Sequence, residues 1–157
     1  MLKQEIAKKT EAIKAYINND VPIVIGVEAV REFRQNFVDE AFDGEKWKDV
    51  QRRNPESPWY GHSGQTGRKS SSRATAKILD GETGELKNAT TWDQRGKSVF
   101  IINDKPYAKV HNEGLPAKIY GKKEFTMTKR QFIGVTERLS ERINEKIERD
   151  ITRIINS

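Results

Sequence analysis

The chain has 157 residues, 34% of them apolar and 33% charged, with 29 Lys+Arg against 23 Asp+Glu and a formal net charge of +6. That length fits a single domain, residues 1–157, able to bury about 70% of its unfolded surface, and the low apolar share points to a thin core served by amphipathic stripes. No stretch reaches the ~20 apolar residues of a membrane-spanning helix, no signal-peptide pattern opens the chain, and the absence of cysteine excludes disulfides, thiol nucleophiles and thiolate metal sites.

Leu2, Ile6, Ile13 and Ile17 recur at helical spacing between Lys and Glu, which predicts an amphipathic helix over residues 2–18. Asn18-Asn19-Asp20 ends it and caps a second helix, with Pro22 in the first turn where its missing N–H costs little. Ile23, Val27, Val30, Phe33, Phe37 and Ala41 form the stripe of that second helix, to about Phe42, although residues 21–27 are β-branched enough for a strand. Asp43-Gly44 reads as its stop.

Residues 43–72 lack periodicity and hold Pro55, Pro58, Gly61, Gly64, Gly67 and Ser70-Ser71-Ser72. A loop of this length in a small domain is functional or mobile. Trp47, Trp59 and Tyr60 either anchor it on the chain's own core or, with Arg52, Arg53, Arg68 and Lys69 beside them, form an interface, since aromatic side chains and arginine dominate binding hot spots.

A short apolar piece, residues 74–79, precedes Asp80-Gly81-Glu82-Thr83-Gly84-Glu85-Leu86, a turn feeding a short helix. Residues 89–94 and 97–103 predict a β-hairpin across Arg95-Gly96. Asn103 or Asp104 can cap a helix through His111, and Gly114 stands where a left-handed C-terminal residue is wanted. Residues 115–128 predict a second hairpin turning at Gly121-Lys122. Leu139, Ile143, Ile147, Ile151 and Ile154 mark a long amphipathic helix from about Thr136 to Ile155. The fold class is α+β, with long amphipathic helices flanking a small antiparallel β-sheet.

The positive surplus is uneven. Lys48, Arg52, Arg53, Arg68, Lys69 and Arg73 face only Asp49 and Glu56, and Lys118, Lys122, Lys123, Lys129 and Arg130 face only Glu124. Such loops suit nucleic-acid phosphates, with Trp and Tyr stacking on bases, or an acidic protein surface. The charges are scattered through Gly/Ser segments rather than gathered on one helix face, and no nucleic-acid-binding motif appears.

Chemistry-bearing residues are few. His62, in Trp59-Tyr60-Gly61-His62-Ser63-Gly64, lies in a glycine-rich loop that lacks the spacing and the Lys-Ser/Thr of a P-loop. His111 and Glu113 could serve a metal nuclease, in which a histidine activates water and a carboxylate holds the ion. The plainer reading is a half-buried ring hydrogen-bonded beside Tyr107, four residues earlier on one helix face. Two histidines at this spacing make no zinc site. No enzyme signature, cofactor site or metal site is expected.

The order of short motifs adds to this. Ile25-Gly26-Val27-Glu28-Ala29-Val30 with Asn36-Phe37 and Trp47, then Thr83-Gly84 with Leu86, then Pro106-Tyr107-Ala108 with His111 and Gly114, and last Arg130-Gln131-Phe132-Ile133-Gly134 together resemble the phage virion morphogenesis family, the tail-completion proteins of Mu-like phages and their relatives. The likeness covers roughly residues 21–145. Asp80-Gly81-Glu82 adds length before the Thr-Gly turn, and Thr128-Lys129 stands where a proline-containing lead to Arg130 is more usual. The resemblance implies a structural role in the virion, completing the tail or neck for head-tail joining, as a ring that is often hexameric. It implies partners among copies of the chain and tail or neck proteins, non-specific contact with DNA in the channel, and assembly in the host bacterial cytoplasm. Thr83, Gly84, Leu86, Tyr107, His111, Gly114, Arg130, Phe132 and Gly134 carry over as structural motif residues.

Overall fold

The computed structural model of the protein describes residues 1–63, 67–81, 83–119 and 121–157. Gly64 of the glycine-rich loop and Glu82 of the lead to the Thr-Gly turn, like Gln65, Thr66 and Tyr120, lie outside the described residues. Two compact units form: Met1–Glu32, Thr90–Ile102 and Val135–Ser157 make one, and Phe33–Ala89 with Asn103–Gly134 make the other. The chain crosses between them four times, so no single cut in the sequence separates them. The class is α+β.

The first unit is built on helices. α1 (Leu2–Ala15) does not end at Asn18-Asn19-Asp20, as the capping residues suggested. It passes through a π-helical turn, Tyr16–Asp20, into α2 (Val21–Asp39). Ala15, Tyr16 and Val21 all keep right-handed helical dihedrals, and the Val21 N–H reaches back five residues to the Tyr16 carbonyl. Proline explains the widened turn: Pro22 has no N–H for the usual bond four residues back and its ring needs room there. Inside this unit Tyr16 is buried, and its hydroxyl donates to Asp150 Oδ2 at 2.6 Å.

α6 (Glu137–Ile155) starts where the sequence placed it, its first turn capped by Thr136 Oγ1, which accepts from the Leu139 N–H at 3.1 Å. Leu139 is buried and the isoleucines of its stripe are half-buried. The rest of the inner face is closed by charge. Arg142 bonds Glu28 and Glu32 at 3.1 and 2.8 Å, and Arg138 bonds Glu32. These two carboxylates are almost wholly enclosed, so each needs its guanidinium partner. The hairpin of β3 (Thr90–Arg95) and β4 (Ser98–Asn103) brings Trp92 flat against Gly26. A side-chain carbon at residue 26 would overlap the indole, which gives the glycine of the Ile25-Gly26-Val27 motif its reason.

The second unit has the apolar core: Phe37, Trp47, Ile78, Leu86, Ala108 and Phe132. Phe37 packs edge-on against Trp47 with centroids 5.6 Å apart and tilted against Phe132 at 4.8 Å. The helix stops at Asp39, three residues earlier than the stripe suggested. Glu40 turns left-handed, with φ of 51°, and β1 (Ala41–Phe42) pairs with β2 (Glu45–Lys46). Asp43-Gly44, both at positive φ, is the two-residue turn of this hairpin rather than a helix stop. β5 (Pro116–Ile119) and β6 (Lys123–Thr126) form the expected second hairpin. Among the described residues the strands pair as three two-stranded sheets, each a hairpin.

Candidate functional site

In the second unit the irregular stretch Arg130-Gln131-Phe132-Ile133 has no regular strand partner, yet its backbone is held group by group. The Arg130 N–H donates to the His111 carbonyl at 2.9 Å. The Gln131 carbonyl accepts the Trp47 indole N–H at 2.8 Å. Asn112 Oδ1 accepts the N–H groups of both Phe132 and Ile133 at 2.9 Å, and Asn36 Nδ2 donates to the Phe132 carbonyl at 3.0 Å. A buried backbone must be satisfied in this way when no sheet ladder is at hand. The motifs read separately in the sequence are therefore one construction: Asn36, Trp47 and His111 fasten the segment that puts Phe132 into the core. Asn112 was missed. An asparagine inside a short helix is a poor helix former that competes for backbone groups, and that was its signal.

Short helices carry the other motif residues in. Gly84, left-handed at φ of 65°, leads α4 (Glu85–Asn88), as the Thr-Gly turn suggested. Its Leu86 is buried at 3% exposure. α5 (Ala108–Glu113) follows Tyr107 without a side-chain cap. Asn103, one of the two expected caps with Asp104, instead accepts the Lys105 N–H through Oδ1 and donates to the Leu86 carbonyl through Nδ2. Gly114 ends α5 at φ of 68°, where a side-chain carbon would also meet Lys129 at 2.8 Å. Gly134 lies against Phe42 and Gln131.

A cleft of about 650 Å³ opens among these elements. Leu86, with Val50, Ile78 and Leu79, lines it with apolar surface, and Arg52, Arg73, Arg130, His111 and Tyr107 supply polar groups, with Asp80 and Glu85. Thr83 also lines it, so the Thr-Gly, Tyr-Ala-His-Gly and Arg-Phe-Gly motifs all send a residue to the cleft.

Its charges are unequally matched. Glu85 bonds Lys105 and accepts the Tyr107 hydroxyl at 3.0 Å, which holds its carboxyl below the usual range. Asp80 meets Lys87 at 3.6 Å. The arginines meet carbonyls. Arg52 donates to the Arg73 and Lys77 carbonyls at 2.5 and 2.8 Å, Arg73 to Gly81 at 2.9 Å, and Arg130 to Lys48 at 3.0 and 2.9 Å. Burial, then the Arg73 and Arg53 charges, push the Arg52 guanidinium below its ordinary value, and burial does the same to Arg130. Burial, helped by Arg130, pushes the His111 imidazole down. The ring stands edge-on to Tyr107, as the spacing suggested, but the expected hydrogen bond is not there: among the described residues His111 Nδ1 is buried without a partner, and so is Arg73 Nε.

Arg53, next to Arg52 in sequence, has the opposite setting. It grips Glu40 through two nitrogens and donates to the Ala76 carbonyl at 2.9 Å. That pairing, reinforced by the Ile78 N–H, brings the Glu40 carboxyl down to about 2 and raises Arg53.

The remaining interface candidates divide. Trp47 is buried and belongs to the core, so it is no surface anchor of this chain. Trp59 and Tyr60 are 57% and 43% exposed, with Trp59 edge-on to His62 at 5.1 Å. Arg68 and Lys69 are exposed. The glycine-rich loop offers no phosphate cradle in its described part, because the N–H groups of Gly61, His62 and Ser63 already donate to the Arg52, Trp59 and Arg68 carbonyls. Among the described residues no group of three or more His, Asp or Glu side chains is placed to hold a metal ion, and no helix is long and apolar enough to cross a membrane.

The model of the phage virion morphogenesis family matches residues 4–152. No curated protein and no solved structure matches the chain.

Proposed function

Because this chain belongs to the phage virion morphogenesis family, we propose that it is a non-enzymatic structural protein of the virion that completes the tail or neck so that a DNA-filled head can join it. The observation that carries this reading is the family match over residues 4–152, nearly the whole chain. The subunits close into a ring, often hexameric in such joining proteins, through head-to-tail contacts between unlike surfaces. Exposed Trp59 and Tyr60, with Arg68 and Lys69 close by in sequence, suit such contacts with a neighbouring copy or a tail or neck protein. The loop surplus of Lys and Arg suits non-specific contact with DNA passing through the channel. Assembly takes place in the host bacterial cytoplasm, before incorporation into the virion.

Light scattering across a concentration series, with negative-stain microscopy of the same samples, tests the ring. Incubation with tails lacking this protein, followed by addition of filled heads, tests completion. Ring-shaped oligomers and restored joining are the expected results. A strictly monomeric protein that leaves tails unable to accept heads overturns the reading.

A further inference from the structure

We propose that the cleft of the second unit is a socket for a carboxylate side chain presented, beside an apolar residue, by an acidic segment of a protein partner. The inference rests on the reading of the chain as a structural protein that docks on other virion proteins, and it names the chemistry of one docking point.

Arg52, Arg73 and Arg130 converge on one cleft, and among the described residues none of the three forms an ion pair. Their hydrogen-bond partners are the carbonyls of Arg73, Lys77, Gly81, Lys48 and Asp49. Carbonyls orient a guanidinium but leave its full charge standing, and enclosed charges ordinarily find an opposite one. Arg130 is only 8% exposed. The two carboxylates of the wall do not fill the gap, since Glu85 is bonded to Lys105 and Asp80 to Lys87. Asp49, which acts weakly on Arg130, is bonded to Arg53. Arg73 Nε, a donor in every protonation state of this side chain, is buried with no acceptor among the described residues.

The cleft's shape selects the anion's carrier. Duplex DNA is held by basic groups in an exposed row that follows the phosphates, whereas these guanidiniums are recessed in a hollow. A side chain protruding from a protein segment can enter it. Val50, Ile78, Leu79 and Leu86 form its apolar wall, which suits an aliphatic neighbour of the carboxylate and offers nothing to a sugar-phosphate backbone. Guanidinium–carboxylate bonds, planar and charge-assisted, are among the strong hydrogen bonds of proteins.

The test uses the whole chain and a fluorescently labelled, end-blocked peptide carrying one glutamate between two leucines. Anisotropy titrations compare it with the same peptide carrying glutamine, with inorganic phosphate as competitor and with a labelled DNA duplex. Nitrogen-detected spectra of the arginine Nε–H groups follow the site directly. The expected result is saturable binding of the glutamate peptide, at least about tenfold weaker binding of the glutamine peptide, and shifts of the Arg52, Arg73 and Arg130 signals. Arg73→Gln, which keeps a donor but no charge, is expected to weaken the glutamate peptide about tenfold and leave the glutamine peptide unchanged, with an unchanged thermal transition showing that the fold is intact. Equal binding of the two peptides, or binding of neither, overturns the socket. So does duplex binding that Arg73→Gln abolishes, or displacement of the peptide by phosphate with equal affinity, because either makes phosphate the ligand. A chain that completes tails and ignores the peptide loses the socket alone. One that binds the peptide and cannot complete tails loses the functional reading.

Discussion

Two groups of arginines in this chain are held by opposite kinds of partner. In the first unit Arg138 and Arg142 meet Glu28 and Glu32, and the positive charge is closed within the unit. In the cleft of the second, Arg52, Arg73 and Arg130 meet backbone carbonyls and form no ion pair among the described residues. The contrast shows that a hydrogen-bonded arginine is not one kind of object. A carboxylate partner makes it a structural fastening, whereas a carbonyl partner fixes its direction and leaves its charge for something else. Arg53 sharpens the point, because it sits beside Arg52 and is closed by Glu40.

The comparison is most directly broken by substituting one arginine from each group. Arg142→Ala leaves Glu28 without its inter-helix partner and Glu32 with Arg138 alone, both carboxylates being about 90% or more enclosed. Urea unfolding is expected to show a loss of about 2–3 kcal/mol, somewhat below the scale for breaking a fully buried pair from one side because Arg142 is itself 37% exposed and Glu28 keeps Arg31. Arg73→Gln gives up one bond to a carbonyl together with an unmatched charge, so its cost is expected to stay within about 1 kcal/mol. Equal losses at the two sites would show that the cleft arginines are fastenings too.

Glu40 provides the next test, inside the second unit. Its carboxyl lies at about 2 when folded against an ordinary 4.5, chiefly because it accepts hydrogen bonds from Arg53. A lowered folded value means that the unfolded chain takes up the proton first. The stabilisation is therefore complete above about pH 4.5 and is lost progressively as the pH falls toward about 2. Glu40→Gln is expected to cost about 2 kcal/mol at neutral pH, the range for hydrogen bonds to charged groups. It should also flatten the acid limb of the stability curve between those pH values. An acid limb unaltered by the substitution would remove Glu40 from the set of closed pairs.

These pairs mark where the sequence was readable and where it was not. Local signals served well: Thr136 opens α6, Gly84 leads α4, Gly114 ends α5, and the hairpin at Gly121-Lys122 turns as its residues require. Capping residues misled at Asn18-Asn19-Asp20, since Pro22 permitted a π turn and the helix continued. The Asp-Gly pair at 43–44 was legible as a turn and was assigned the wrong neighbours, because the stripe through Ala41 looked helical although Glu40 had already turned left-handed. The cleft was hidden for a different reason. Its arginines lie 21 and more residues apart, and whether an arginine meets a carboxylate or a carbonyl is decided by tertiary placement. Arg52 and Arg53 are indistinguishable in sequence and opposite in the fold. Trp47 was one of three aromatic residues in an irregular segment, and only its tertiary contacts, packing on Phe37 and an acceptor at Gln131, identify it as core.

Glycine at the end of α5 tests how the cleft is held rather than how it is charged. Gly114→Ala places a side-chain carbon in a left-handed conformation and 2.8 Å from Lys129, one residue before Arg130. The backbone penalty alone is about 1–2 kcal/mol. The thermal transition should fall accordingly, and the signals of Arg130 and His111 should move because the Arg130 N–H is fastened to the His111 carbonyl. A stability loss without movement of those signals would show that the helix end and the cleft are independent.

The smallest expected effect separates the units by their helix caps. Thr136 is buried and bonds the Leu139 N–H in a helix of 19 residues, whereas Ser70 is exposed and bonds the Arg73 N–H at 3.3 Å in a helix of five, α3 (Ser71–Thr75). Removing an acceptor from an enclosed donor costs more than removing one that water can replace. Thr136→Ala is therefore expected to cost about 1 kcal/mol and Ser70→Ala about 0.5 kcal/mol, the middle and lower end of the range for caps. Ser70 nevertheless orients the turn that carries Arg73 to the cleft. Its substitution should disturb the Arg73 Nε–H signal more than Thr136→Ala does, although it disturbs stability less. That inversion between stability and local signal is the mark of a residue that positions an open charge rather than one that closes a structure.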